Sequence, residues 1–248
     1  MGYRSGGMIF PFKGNLEEIV DLINNWTEKD FEILEPNFKA KEAIELEFIK
    51  DNLVIIHNHN FFFSAYQDKD LWNERLKKSL LNDWVIFFEC VDSSNAASYL
   101  IFKNNIEVRR VTECEDQAFY QEGEPQDFEK EWLSASIGYE HEYQEGDEWK
   151  EEIITDPKFS LDDIEEWENY YKFYYVGSID NSTNHLARQL LSDLSNKYLG
   201  FDLINDFYEI ENRITLGYGE IAEKQLTPHT QEKSFFQKLL FGSNIHLT

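Results

Sequence analysis

A chain of 248 residues that is 42% hydrophobic and 16% aromatic can bury a sizeable core, which excludes a wholly disordered protein. Its 48 Asp and Glu against 23 Lys and Arg leave a formal net charge of −25. That charge repels phosphate backbones and anionic lipid, so it argues against nucleic acid or a membrane surface as partner and favours a basic protein.

Met8–Phe12 reads as a short strand closed by Pro11 and the Lys13-Gly14-Asn15 turn. This apolar patch is too short for a signal-peptide core or a membrane span, which gives a cytoplasmic expectation. Asn15 then caps a helix over Leu16–Trp26, where Leu16, Ile19, Val20, Ile23 and Trp26 recur at helical spacing and Glu17 and Glu18 suit the N-terminal dipole. After Pro36, Ile44, Leu46 and Phe48 alternate with Glu45 and Glu47. The alternation predicts a strand, with Asp51-Asn52 as a turn and Leu53–Asn58 as the returning arm. Phe61–Tyr66 is expected to extend the sheet. Asp68 caps a helix over Asp68–Leu81, with Leu71, Trp72, Leu76 and Leu80 on one stripe and Lys77 and Lys78 near its end.

Trp84–Val91, apolar on both faces, reads as a central strand covered on both sides. Ala96–Lys103 and Ile106–Glu113 alternate about Asn104-Asn105, a two-residue hairpin turn. The middle of the chain is therefore an antiparallel meander, not a series of βαβ units. Gly123-Glu124-Pro125 ends it, and Gln126–Leu133 makes two helical turns. Ser136–Asp156 is polar, with apolar residues at no fixed period, and reads as loop. Ser160 caps a short helix through Trp167, and Tyr170–Val176 returns to the sheet. Thr183–Leu199 is a helix with Leu186, Leu190, Leu191, Leu194 and Tyr198 inward, capped by Ser182 or Asp180 and closed by Gly200. Arg213–Tyr218 forms a last strand and Thr230–Phe241 a short amphipathic helix.

The expected fold class is α+β: an antiparallel meander sheet flanked by helices, a single domain over residues 1–248 with an acidic insertion over 111–176. That insertion holds 21 acidic and 4 basic residues, a net −17 of the chain's −25, together with Trp132, Trp149 and Trp167.

Reaction chemistry has little to stand on. His57 and His59, two apart on a strand, would share a face and could grip a metal, but no third ligand lies nearby in the sequence. Cys90 lies in the most apolar run, where burial raises a thiol pKa, so it and Cys114 read as core thiols of a reducing compartment. The serines lack a G-x-S-x-G context, and no phosphate-binding glycine loop or zinc spacing occurs. Glu145-Gly146-Asp147-Glu148 and Asp180-Asn181-Ser182 are only fragments of a calcium ladder. Carboxylates between Glu113 and Glu168 are too abundant for any one pair to mark a hydrolase.

The acidic segment has two readings. As a solvated face it only keeps the protein soluble. As a docking face its carboxylates steer a basic partner, and aromatic side chains anchor it. A solvated face needs no exposed Trp, yet the segment carries three of the chain's six.

The hairpin Ala96–Glu113 followed by Gly123-Glu124-Pro125, Phe128-Glu129 and Trp132, with the later Leu199-Gly200-Phe201, resembles the central part of an uncharacterised bacterial family. The resemblance spans about half the chain and implies a fold without an activity. An acidic, aromatic-rich α+β protein of this size without a catalytic motif also resembles the cytoplasmic immunity proteins of bacterial toxin systems. That implies a non-enzymatic protein that blocks a cognate toxin. The expected contact residues are Tyr139, Glu140, Glu142, Tyr143, Glu145, Asp147, Glu148 and Trp149. No cofactor is expected. The alternative is a carboxylate and histidine metal protein or hydrolase using His57 and His59.

Overall fold

The computed structural model describes residues 4–35, 38–49, 52–79, 81, 83–114, 117–161, 164, 167–204 and 213–223. The helix expected over Thr230–Phe241 lies outside them, as does the body of the one expected after Ser160. Where the latter was to end there is a single 3-10 turn, Trp167–Asn169.

In chain order, β1 (Arg4–Pro11) precedes α1 (Leu16–Thr27), the short β2 (Glu32–Ile33) and the long β3 (Phe38–Ile49). Asn52, at positive φ, turns the chain into β4 (Leu53–His57). The helices α2 (His59–Gln67) and α3 (Lys69–Lys78) follow. Next come β5 (Trp84–Val91), β6 (Ala96–Lys103), β7 (Ile106–Cys114) and β8 (Gln117–Gly123). A one-turn α4 (Lys130–Leu133) leads to β9 (Ser136–Glu145), β10 (Glu148–Ile154), β11 (Tyr170–Val176) and β12 (Ser178–Thr183). The described chain ends with α5 (Leu186–Leu199) and β13 (Ile214–Glu223). The class is α+β.

Two compact units divide the chain. The larger holds Met1–Asn15 and Glu45–Arg213. Its main sheet runs in the order β3-β4-β1-β5-β6-β7-β8 with antiparallel neighbours, and β5 to β8 form the expected meander. Asn104 and Asn105 both take the positive φ that a tight two-residue hairpin turn demands.

β5 is central and covered on both faces. Ile86, Phe88 and Cys90 join Tyr99, Ile101 and Val111 in a core closed by Leu186, Leu190, Leu191 and Leu194 of α5. The opposite face carries Phe87, whose ring lies 4.8 Å from that of Trp72 in α3 and 5.4 Å from Phe102. Each fully buried Phe of this strand contributes about 1.5–3 kcal/mol by leaving water.

Phe61–Tyr66 is helical rather than a further strand. The Asn58 side chain accepts from the Asn60 N–H at 2.9 Å, its backbone carbonyl accepts from Phe61 N–H, and Phe61, Phe62 and Ala65 form a buried stripe. Ser136–Asp156, expected as loop, is mostly the hairpin of β9 and β10. With β11 and β12 these strands form a separate antiparallel sheet in the order β10-β9-β11-β12, so Tyr170–Val176 joins this second sheet instead of returning to the first.

α5 starts later than its periodicity predicts. Thr183 ends β12, and neither Ser182 nor Asp180 caps the helix. Instead Glu113, on β7, accepts the Ala187 N–H at 2.8 Å. Gly200 closes the helix at φ 80°, as expected.

The smaller unit holds Leu16–Ile44 and Ile214–Thr248. Within it β13 pairs antiparallel with β2, Leu216 opposite Ile33. Ile19, Ile23 and Trp26 of α1 are buried, and the Asn24 side chain both accepts from and donates to the Phe31 backbone, at 2.8 and 3.2 Å. Among the described residues no helix is long and apolar enough to cross a membrane.

Candidate functional site

Strand β9 alternates Tyr139, His141 and Tyr143 with Gly138, Glu140 and Glu142, and β10 alternates Trp149, Glu151 and Ile153 with Lys150 and Glu152. Gly146, at φ 68°, reverses the chain between them. The register sets Ile154 opposite Tyr139, Ile153 opposite Glu140, Glu151 opposite Glu142 and Trp149 opposite Gln144. On the other side of β9, Tyr170 stands opposite His141, Tyr171 opposite Glu140 and Phe173 opposite Gly138. Because paired residues share a face and neighbours along a strand do not, this register defines two unlike surfaces.

The first surface is an aromatic stack. His141 lies parallel to Tyr170, with centroids 4.0 Å apart and planes 3° from parallel, and against Tyr143 at 5.1 Å. Phe159 covers Tyr139 and Tyr170 at 5.1 and 5.6 Å. Glu145 and Lys150 form an ion pair at the hairpin end.

The second surface is acidic and carries exposed rings. At its inner end the Phe173 ring lies where a β-carbon on residue 138 would be, 2.3 Å away, so a glycine there lets the ring close against the strand. Beyond it, Glu140 is flanked by Ile153 and Tyr171, Glu142 faces Glu151, and Trp149 completes the row. Trp149 is 72% exposed, Tyr171 49% and Ile153 40%. Two carboxylates directly opposite each other cost stability, and so do large apolar groups left in water. The folded state alone does not account for this surface.

The eight expected contact residues are therefore brought into one hairpin but divided between its faces. Glu140, Glu142 and Trp149 belong to the acidic surface. Tyr139, Tyr143, Glu145 and Glu148 are on the stacked side, where Tyr139 and Tyr143 already face rings of their own chain, and Asp147 occupies the turn. Glu151, Ile153 and Tyr171, which sequence reasoning passed over, complete the acidic surface. Glu151 and Ile153 follow Trp149 at a period of two along one strand, a spacing visible in the sequence, whereas Tyr171 joins them only through the register of β11 on β9.

The histidine pair does not form as expected. His57 ends β4 and places its Nε2 3.2 Å from Glu47, whereas His59 opens α2. Among the described residues no group of three or more His, Cys, Asp or Glu side chains could hold a metal ion. Cys90 is a buried core thiol, while Cys114 is only partly covered.

A buried ionic network holds the segment that leads into the second sheet. The Nε of Arg109 donates to both oxygens of Glu129 at 2.9 and 3.0 Å, while its Nη1 donates to the Gly123 carbonyl at 3.0 Å and its Nη2 to the Gln121 side chain at 2.7 Å. Glu129 also accepts from the Tyr99 hydroxyl and from Gln126 N–H. Burial, then the neighbouring Glu129 anion, push the Tyr99 hydroxyl well above the usual tyrosine pKa, so it remains a donor. Gly123 itself sits at φ 83°, with no room for a side chain beside the Val108 carbonyl. The Gly123-Glu124-Pro125 and Phe128-Glu129 series thus does structural work, supplying the turn and the carboxylate that fix the approach to Trp132.

Compared with models of known families, with curated proteins and with solved structures, the chain matches none of them.

Proposed function

We propose that this chain is a non-catalytic, cytoplasmic binding protein that neutralises a basic protein partner, in the manner of an immunity protein that blocks a cognate bacterial toxin. The observation that carries this reading is the acidic surface of the hairpin, where Trp149, Ile153 and Tyr171 stand exposed among Glu140, Glu142 and Glu151. Trp and Tyr that can be desolvated at the centre of a contact supply most of its affinity, and surrounding carboxylates supply steering and selectivity. The net −17 of residues 111–176 extends that attraction beyond the contact itself. In this reading the acidic, aromatic-rich second sheet is an insertion that presents the docking face, and the meander with its helices is the support.

The test is a pull-down from the native cells with tagged protein as bait, in parallel with the triple variant Glu140→Lys, Glu142→Lys, Glu151→Lys. The expected result is a basic protein retained at low salt, reduced at high salt, lost from the variant, and inhibited in its own activity by the wild-type bait. A partner retained equally by the variant, or one whose activity the bait leaves intact, would overturn the proposal.

A further inference from the structure

The strands of the second sheet are of unequal length, and the difference leaves a cavity of about 390 Å³, within the ordinary range for small-ligand sites. β10 ends at Ile154, opposite Tyr139, whereas β9 begins earlier, at Ser136. Ser136, Ile137 and Gly138 therefore pair with β11 on one side and, among the described residues, with no strand on the other. An antiparallel strand aims the N–H and C=O groups of alternate residues to each side, so at least one backbone carbonyl is left on the open one. The chain leaving β10 through Thr155 and Asp156 walls that opening, and the rings of Tyr139, Phe159 and Tyr175 line it.

Among the described residues of the lining, Asp156 alone is charged. Its turn is firmly held. One carboxylate oxygen accepts the Lys158 N–H at 2.9 Å, and its backbone carbonyl accepts the Phe159 N–H at 3.0 Å. The turn sets the Phe159 ring against Tyr139 and Tyr170, with centroids 5.1 and 5.6 Å apart, so this wall stands formed before any ligand arrives. An asparagine would make the same turn bond, so the turn does not require the charge.

The chemistry of the lining selects its ligand. Asp156 repels an anion, and no metal-holding cluster occurs among the described residues. Carboxylate, carbonyl and hydroxyl oxygens are acceptors, and the three rings offer flat faces. A guanidinium ion suits both. It is planar, carries a fork of N–H donors and no acceptor, and is hydrated weakly enough to stack on aromatic rings. An ammonium ion is a compact, strongly hydrated charge that stacks less well. The net −17 of residues 111–176 adds a field that draws any cation to this sheet.

We propose that this cavity receives an arginine side chain of the basic partner, its guanidinium paired with Asp156 and laid against the surrounding rings. Ser136 and Tyr175, opposite each other at the cavity, belong to the face that carries Glu140 and Tyr171 farther along the same strands. The cavity therefore continues the acidic surface, about 13 Å along β9 from Glu140 at the usual rise of a strand. The inference rests on the docking reading and adds to it: the partner presents an arginine at that spacing from the basic groups that meet Glu140, Glu142 and Glu151.

NMR titration of the isotope-labelled full chain provides the test, with Nα-acetylarginine methylamide, its citrulline analogue (the same shape without the charge) and its lysine analogue as probes. The expected result is saturable shifts of the Ser136, Ile137, Thr155 and Phe159 amides by the arginine probe. The citrulline analogue should bind about tenfold more weakly or worse, and the lysine analogue severalfold more weakly. Asp156→Asn should weaken the arginine probe about tenfold without moving the melting temperature, and the hairpin triple variant should still show shifts at the same amides. An arginine probe that does not saturate at these amides, a citrulline analogue that binds equally well, or a folded Asp156→Asn protein that retains full affinity would each overturn the proposal. Should Asp156→Asn fail to fold, the contrast between arginine and citrulline on the wild-type chain decides. The pull-down keeps the two readings apart. A basic partner lost from the triple variant, with no arginine bound at the cavity, overturns this inference alone. Arginine bound there, with no basic partner retained, upholds the guanidinium site and overturns only the docking reading.

Discussion

Arg109 and Glu129 meet on the α5 side of the main sheet with the guanidinium Nε–H shared between both carboxylate oxygens and each side chain exposed by 1% or less. Breaking such a pair strands a charge away from water, which costs more than the pair itself contributes. Glu129→Ala should therefore lower unfolding stability by about 3–5 kcal/mol. Arg109→Ala should do the same, and the double variant should lose much less than the two together. Urea unfolding of the three proteins checks this, and simple additivity would count against a coupled network.

Tyr99 makes the same network sensitive to alkali. Its folded pKa is raised well above 10.0 by burial and by Glu129, so the unfolded chain gives up this proton first. The stabilisation is fully present below about pH 10 and is lost as pH rises through the folded value. Between pH 9 and 11 the wild-type urea midpoint should fall more steeply than that of Tyr99→Phe. Parallel curves would remove Tyr99 from the account.

Glu113 caps α5 from another strand, and burial raises its pKa against the opposing hydrogen bond from Ala187 N–H. A raised carboxylate pKa favours the folded state below the unfolded value and loses that favour as pH climbs through the folded one. At pH 7 the ionised form is thus held at a cost that a neutral acceptor avoids. Glu113→Gln should stay within about 0.5 kcal/mol of wild type, while Glu113→Ala, which leaves the helix end uncapped, should lose about 1 kcal/mol. Thermal unfolding at pH 7 distinguishes them.

Gly138 is required by the ring above it. Gly138→Ala places a methyl where the nearly buried Phe173 ring sits and should cost about 1–3 kcal/mol by overpacking. Adding Phe173→Leu should recover part of that loss. A Gly138→Ala protein as stable as wild type would show that the second sheet closes differently.

On the acidic surface, charge and ring should act on different steps of association. Reversing Glu140, Glu142 and Glu151 should slow association with a basic partner by about tenfold or more at low salt and flatten its salt dependence. Trp149→Ala should chiefly speed dissociation, costing about 2 kcal/mol or more in affinity if that ring is an anchor. Stopped-flow and surface-plasmon measurements separate the two rates.

Elements decided within a few residues were legible in the sequence. The Asp68 cap, which accepts from Leu71 N–H at 2.9 Å, the Asn104-Asn105 turn and the doubly apolar β5 belong to this group. Elements decided at a distance were not. Phe61–Phe63 has the letters of a strand, but the Asn58 cap and the packing of Phe61 against Trp72 make it helix. The start of α5 depends on a carboxylate 74 residues away. In β9 the alternation is aromatic against acidic, so a hydropathy pattern passes over it. The candidate site shows the same split: its segment was visible as charge and Trp, but which residues share a face follows from the strand register alone.

β10 is the outer strand of the second sheet, and an outer strand is the natural template for a second copy of its own chain. Glu148, Glu151 and Glu152 all lie along it, exposed, so two such strands brought side by side would set carboxylate against carboxylate. Glu151, proposed to help draw in a basic protein, therefore also guards, together with Glu148 and Glu152, against self-aggregation. That guard weakens when molar salt shortens the reach of the carboxylates to about 3 Å. Precipitation of this protein in molar salt should accordingly proceed through growth of the second sheet, with β10 as its seed.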